Sequence, residues 1–284
     1  MISVVIPAKN EANNLKSLIP KLRSVACIDE IIVVDDGSED DTFRISSEAG
    51  AKVVSHPYSK GNGAAIKTGA RAAEGDIIIF MDGDGQHDPA DIPRLLEKIK
   101  EGYDLVVGAR GRESQASVGR GLANGLYNKL ASYMTGHPVK DLTSGFRAVR
   151  RDKFLEFLYL LPNGFSYPTT STMAFFRAGY SVAYVPITAH ERVGVSHIRP
   201  LKDGIRFLLI IFKIGTLYSP LKLFLPIALF IFSIGLGYYA FTYFLAGRFT
   251  NMSALMFTTS LVIFMVGLVS EQITALMYRD TEKR

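Results

Sequence analysis

The chain has one cysteine, Cys27, and no tryptophan among its 284 residues. A single thiol excludes an intrachain disulfide and any zinc site built on several cysteines, and it suits a reducing cytoplasm. Charge is missing where its absence is informative: no Asp, Glu, Lys or Arg falls between Leu223 and Ala246, or between Phe249 and Ser270. These runs, roughly 24 and 22 residues long, can each cross a bilayer as a helix. The N-terminus enters a strand without a basic segment followed by an apolar run, so no signal peptide is expected. Neither a basic tail nor an aromatic RNA-binding motif is present, so nucleic acid is not an expected partner. The net charge of +5 reads better as attraction to anionic lipid headgroups.

The two charge-free runs read as a helical hairpin turning around Gly247-Arg248-Phe249. Lys202, Arg206, Lys213 and Lys222 precede the first run, and Arg279, Lys283 and Arg284 follow the second. That bias predicts a multi-pass protein of the cell membrane with its catalytic domain and both termini cytoplasmic. The alternative is a pair of buried core helices. Pro226 falls in the first turns, where it is tolerated, and Glu271 lies near enough to the cytoplasmic end to reach the interface. Between Leu201 and Ser219, Ile205, Leu208, Leu209 and Phe212 alternate with Arg206 and Lys213, as in a helix lying in the interface; an ordinary surface helix has the same pattern. The expected organisation is a catalytic domain over 1–200, an interfacial segment over 201–220, two spans over 221–278 and a cytoplasmic tail over 279–284. The hairpin also offers lateral surface through which a homo-oligomer could pack.

The first hundred residues alternate apolar strands with amphipathic helices, which predicts an α/β fold with a mostly parallel, helix-covered sheet. Strands are expected at Ile2–Ile6, Ile31–Val34, Lys52–Ser55, Asp76–Met81 and Asp104–Gly108. Helices are expected from about Glu11, Asp40, Gly61 and Pro89, the first with Leu15, Leu18, Ile19 and Leu22 on one face. The polar stretch Gly111–Gly119 is expected to be a mobile loop.

Three of these strands end in carboxylate-bearing loops: Pro7-Ala8-Lys9-Asn10-Glu11, Asp35-Asp36-Gly37-Ser38 and Asp82-Gly83-Asp84-Gly85-Gln86. In an open α/β sheet, ligands bind beyond the carboxyl ends of the strands. In an extended tip the outer residues of Asp82-Gly83-Asp84 point the same way, and hard carboxylate oxygens suit Mg2+ or Mn2+ bridged to phosphates. The alternative for that segment alone is a solvated turn. A second glycine-rich stretch, Lys60-Gly61-Asn62-Gly63-Ala-Ala-Ile66-Lys67-Thr68, is near a phosphate loop but has Ile66 where that pattern needs glycine. It is read as a helix start near the donor, with Lys60 or Lys67 as candidate phosphate contacts.

Together the three loops resemble the nucleotide-sugar site of family 2 glycosyltransferases with the GT-A fold, over roughly residues 1–200. The resemblance implies a nucleoside-diphosphate-sugar donor bound by Pro7, Ala8, Asn10, Glu11, Asp35, Asp36, Lys67, Asp82 and Gly83. It also implies a divalent metal held by Asp84 with Gln86. The cytosolic site beside a membrane hairpin further resembles the polyprenyl-phosphate glycosyltransferases, which move one sugar onto a lipid monophosphate. In that family the acceptor phosphate is bound by basic residues, and the matching candidates are Arg110, Arg120, Arg192 and His197, the last standing where many relatives carry lysine. Asp141 is carried over as a third catalytic carboxylate beside Asp82 and Asp84, with an orienting role, while Arg147 is read as a structural alternative. Asn163 to Thr172 is expected near the acceptor or the sugar, and His87 is the one histidine expected to approach the site.

A phosphate monoester has a second pKa of about 6, so the acceptor is largely a dianion at neutral pH and attacks without a general base. Single displacement with inversion follows. Two rivals compete with this reading. A processive polysaccharide synthase would carry a Gln-x-x-Arg-Trp motif, which the absence of tryptophan excludes. A catalytically silent membrane scaffold would not need the acidic pairs. Another acceptor on the same donor fold is the remaining alternative.

Overall fold

The strands at Ile2–Ala8, Glu30–Asp35 and Ile77–Phe80 are rich in β-branched residues and read as near-continuous apolar runs, the pattern of strands covered on both faces. The computed structural model describes residues 1–111, 118–164, 167–188 and 215–279, with the backbone alone for 118–124, 278 and 279. The chain divides into two units, Met1–Ile198 and Arg199–Arg284.

The first unit holds a seven-stranded sheet. Its strands are β1 (Ile2–Ala8), β2 (Glu30–Asp35), β3 (Lys52–Ser55), β4 (Ile77–Phe80), β5 (Leu105–Arg110), β6 (Arg147–Arg150) and β7 (Val182–Ile187). They are ordered β3-β2-β1-β4-β6-β5-β7. Between them run α1 (Ala12–Arg23), α2 (Thr42–Glu48), α3 (Asn62–Ala72), α4 (Ile92–Lys100), α5 (Val118–Thr135), α6 (Arg151–Leu155) and α7 (Tyr167–Arg177). A 3-10 turn at Pro89–Asp91 leads into α4, and the Asp88 carboxylate caps it by accepting Ala90 N–H at 2.9 Å. Val4, Val5 and Ile6 of β1 are fully buried although successive side chains face opposite ways, so both faces of the sheet are covered. The α1 residues Leu15, Leu18, Ile19 and Leu22 pack as their spacing predicts.

Register explains where the site lies. Ala8 pairs with Asp35 and Val5 with Phe80, so β1, β2 and β4 end along one edge. Two strands escaped the sequence reading. β6 runs antiparallel between β4 and β5, with Arg147 opposite both Phe80 and Val107. Being antiparallel, β6 starts where its neighbours finish, which delivers the preceding segment, Asp141 to Phe146, to the carboxylate-bearing edge. Its four residues, Arg-Ala-Val-Arg, are too short and too charged at the ends to show as a strand. β7, parallel to β5, closes that side with Ile187 opposite Arg110.

The second unit contains α8 (Pro220–Ala246) and α9 (Asn251–Arg279). Gly247 ends α8 in the left-handed conformation at φ 61°, its N–H on the Tyr243 carbonyl at 2.9 Å. The helices touch through small residues: a Cβ on Gly235 would meet the Met256 Cβ at 2.9 Å, and Ser260 Oγ donates to the Ala228 carbonyl at 2.8 Å. Glu271 turns toward the start of α8, where its Oε2 accepts Leu221 N–H at 3.2 Å, satisfying a donor that hydrocarbon could not. Only 11% of α8's most apolar stretch and 17% of α9's is buried. Core helices would be mostly buried; these two are exposed, and each is long and apolar enough to cross a membrane.

Candidate active site

Asp82 and Asp84 follow β4 directly. Met81 N–H still donates to the Val5 carbonyl at 3.1 Å, so the strand direction carries into the acidic tip. Two glycines allow close approach there. A Cβ on Gly145 would stand 2.4 Å from Asp82 Oδ2, and one on Gly83 would stand 3.3 Å from the Pro7 carbonyl. The Asp82 carboxylate therefore lies against the backbone of the segment leading into β6. Asp82, Asp84 and Gln86 are partly exposed, and Gln86 N–H donates to Asp84 Oδ1 at 3.2 Å. This is a set of hard oxygen donors open to solvent, which fits Mg2+ or Mn2+. Among the described residues no group of three or more His, Cys, Asp or Glu side chains is placed to hold a metal ion. An ion at Asp84 would take its remaining oxygens from substrate and water.

Arg110, the last residue of β5, meets Asp141. Its Nε donates to Oδ2 at 2.8 Å and Nη2 to Oδ1 at 3.1 Å, while its own N–H reaches Oδ2 at 3.2 Å. Thr143 and Ser144 N–H groups donate to Oδ1 at 3.0 and 3.1 Å, closing an Asx-type turn. Burial alone would raise the Asp141 carboxyl, but the Arg110 guanidinium and these N–H groups outweigh it and hold it below the usual carboxylate range. Burial would likewise depress Arg110, yet Asp141, with Asp82 and Asp84 behind it, raises its pKa. Asp141 is thus a saturated anchor for an arginine that faces the acidic tip.

His87 belongs to this cluster, as expected. It is buried, its ring stacks on Phe146 at 5.1 Å, and its Nδ1 has no partner among the described residues. Burial pushes its pKa down to about 4, helped by Arg110 and opposed by Asp84 and Asp141. Arg147 is fully buried behind Asp82, which supports its structural reading. It donates to the carbonyls of Pro168 and Ser144 and to the hydroxyls of Ser171 and Thr172, stitching α7 to the β6 approach. Asn163 to Thr172 is thereby tied to the acidic edge in part, with 165 and 166 outside the described residues.

At the other end of the edge the two adjacent acids have different roles. Asp36 accepts His56 Nδ1 at 2.7 Å and Ser59 Oγ, Lys60 N–H and Gly61 N–H each at 2.8 Å. Its burial opposes ionisation, but those four donors prevail and its pKa is lowered. Asp36 therefore fastens the β3–α3 loop. Asp35 accepts one backbone donor, Ser38 N–H at 2.9 Å, and pairs in register with Ala8. Pro7, Ala8, Asn10 and Glu11 line the same edge, where Asn10 adopts φ 57° and bridges to Ser38 and Glu39. Glu11 Oε2 is held by Asn14 at 2.6 Å.

The glycine-rich stretch is committed elsewhere. Gly63 N–H donates to the Gly164 carbonyl and Ala64 N–H to that of Asn163, occupying the helix start that an anion would use. A Cβ on Gly63 would sit 2.0 Å from the Pro162 carbonyl oxygen. Lys67 Nζ donates to the Leu161 carbonyl at 3.2 Å and Asn163 Oδ1 at 2.5 Å. The segment clamps 161–164 to the sheet. Arg192 and His197 fall outside the described residues, as does the side chain of Arg120, and so does the loop expected over 111–119 from residue 112 to 117.

A mixed sheet whose strand tips gather two acidic loops and an arginine-bearing β5 defines a glycosyltransferase of the GT-A fold. Residues 3–158 match the profile of glycosyl transferase family 2, and residues 219–276 match the GtrB C-terminal hairpin. The chain belongs to glycosyltransferase family 2. It is 26% identical to glycosyltransferase AglJ of Haloferax volcanii over 100% of this chain and 96% of that one. Against the undecaprenyl-phosphate 4-deoxy-4-formamido-L-arabinose transferase of Klebsiella pneumoniae it is 38% identical over 53% of this chain and 49% of the relative. With the dolichol-phosphate mannosyltransferase of Pyrococcus furiosus it shares 36% over 58% of this chain and half, 50%, of the relative. Among solved structures, glucosyl-3-phosphoglycerate synthase from Mycobacterium tuberculosis, in complex with Mn2+, UDP and glucosyl-3-phosphoglycerate, superposes with a TM-score of 0.60. That match has 27% identity and covers 75% of this chain and 78% of that one.

Proposed function

We propose that this enzyme transfers one sugar from a nucleoside-diphosphate sugar to a polyprenyl monophosphate at a membrane surface, with inversion and with Mg2+ or Mn2+. The observation that carries the reading is the Arg110–Asp141 pair facing Asp82 and Asp84, in a chain that ends in a hairpin of two apolar helices. Relatives named for undecaprenyl-phosphate and dolichol-phosphate acceptors support the lipid, and a fold neighbour crystallised with Mn2+ and UDP supports the donor and the metal.

In this reading Pro7, Ala8, Asn10, Glu11 and Asp35 hold the nucleoside. Asp36 contributes by fixing the loop beside it, and Asp82 and Gly83 approach the diphosphate. Lys67 acts through the 161–164 segment. Asp84 and Gln86 would hold the metal, which when bound supplies positive charge to the leaving diphosphate. Arg110, with Arg120, Arg192 and His197, receives the acceptor phosphate. Arginine suits that task because its fork matches phosphate and its charge offsets the repulsion between two anionic substrates. Asp141 keeps the fork aimed, and no residue is asked to remove a proton.

The deciding experiment is transfer from labelled UDP- and GDP-sugars to undecaprenyl phosphate in detergent, with and without Mg2+ or Mn2+. One labelled lipid that requires metal is the expected outcome and names the donor. Folded protein that binds nucleotide but labels no lipid would sink the lipid-phosphate acceptor, leaving another acceptor or a silent scaffold.

A further inference from the structure

Helix α5 connects the two members of the site's ion pair, with Arg110 before it and Asp141 after it. Its middle is fastened to the Asp141 segment: Asn128 Nδ2 donates to the Lys140 carbonyl at 2.7 Å, and Leu142 N–H returns to Asn128 Oδ1 at 3.0 Å. Val139 N–H donates to Ser132 Oγ at 2.9 Å one turn further on. Tyr127, Ala131 and Met134 are buried on the inner face.

The outer face is apolar where a water-facing helix would be polar. Leu126, Leu130 and Tyr133 recur at i, i+4 and i+7 and so share one stripe. Leu126 is 61% and Tyr133 58% exposed, Leu130 is half-buried, and the exposed Lys129, three residues after Leu126 and four before Tyr133, borders them. Other large exposed apolar side chains of this unit, such as Phe43 and Tyr159, stand singly on their elements, which is ordinary. An apolar stripe bordered by a lysine fits a helix resting in a lipid headgroup layer.

We propose that this outer face of α5 docks on the surface of the bilayer that holds the hairpin. The occupant follows from continuity with the site, and the inference rests on the lipid-acceptor reading. If Arg110 receives a phosphate carried on a lipid, that phosphate arrives at the membrane surface. The helix sewn to Asp141 through Asn128 is then brought there with it. Lys129 at the edge complements anionic headgroups.

The absence of tryptophan makes the test clean. Full-length Leu126→Trp and Tyr133→Trp would be reconstituted into phosphatidylcholine–phosphatidylglycerol vesicles with plain or brominated acyl chains. Phe244→Trp, at a position 86% exposed on α8, reports the hairpin, and Phe43→Trp on α2 reports solvent. Bromolipid should quench both α5 probes and the α8 probe and spare the α2 probe. Unquenched α5 probes beside a quenched α8 probe would overturn the docking and leave the stripe to a protein partner. Equal quenching of the α2 probe would overturn the assignment to α5. An unquenched α8 probe would overturn the membrane hairpin itself.

The double variant Leu126→Glu/Tyr133→Glu should lower transfer in vesicles on the order of tenfold, equivalent to about 1.4 kcal/mol of lost contact, and leave transfer in micelles unchanged. Wild-type transfer in vesicles would overturn the proposal. Absence of lipid transfer by the unaltered chain would instead refute the acceptor reading, separately from the quenching result.

Discussion

Arg110 and Asp141 are joined by a two-pronged ion pair, Nε to Oδ2 at 2.8 Å and Nη2 to Oδ1 at 3.1 Å, whose carboxylate also accepts three backbone N–H groups. Such a carboxylate has no free lone pair with which to act as a base. Asp141→Asn is therefore expected to lower kcat/KM on the order of 100-fold by letting the guanidinium move about 1 Å, without removing a limb from the pH–rate profile. A limb lost in that variant would make Asp141 a base and refute the anchoring role.

Asp84→Ala removes the carboxylate proposed above to hold the metal. Transfer is expected to fall by at least about 10³-fold, in line with the several kcal/mol a metal supplies to developing charge, while the fold survives because Asp84 is a partly exposed tip residue. Chelation of the wild type should mimic the variant. Full activity of either in excess EDTA, assayed with the same donor, would exclude a metal at this tip.

Two glycines with different reasons for being glycine should respond differently to alanine. At Gly63 the new Cβ would lie 2.0 Å from the Pro162 carbonyl oxygen, so the 161–164 segment must lift from α3; a loss of about 2–4 kcal/mol is expected. At Gly85 nothing lies within 4 Å and only the positive φ of 73° resists, a cost of about 1 kcal/mol. Denaturant unfolding of both variants checks the order, and equal losses would contradict the clamp.

Asp36 should show in acid stability. Folding lowers its pKa below the ordinary 3.8, so the stability it contributes is complete above that value. It drains as pH falls through the folded-state value. Asp36→Asn should be less stable near neutrality by about 2–3 kcal/mol, since an amide cannot accept all four donors. Its stability should also fall less steeply than the wild type's between about pH 5 and pH 2. Parallel acid curves would show that the carboxylate is not stabilised by folding.

Much of the site was legible because parallel strands place their carboxyl ends together, so acids after separate strands had to meet. By that rule Asp35, Asp82 and Asp84 are expected at the ends of neighbouring strands, and β2 and β4 do flank β1. The division of labour between neighbours was not legible. Asp35-Asp36 reads as one acidic pair, but only the β3–α3 loop folded back over β2 shows that Asp36 is fully occupied and Asp35 is not. Lys67 and the glycines before it look like phosphate ligands until the 161–164 segment, about a hundred residues downstream, is seen to take their hydrogen bonds.

Sequence by itself determined the alternation of strand and helix, the two charge-free spans and the acidic strand ends, since all three rest on local composition and spacing. Tertiary structure decided that Asp36 is fully hydrogen-bonded and where β6 inserts. It also decided that Arg110 is held by Asp141, because these are long-range pairings that neither segment specifies alone.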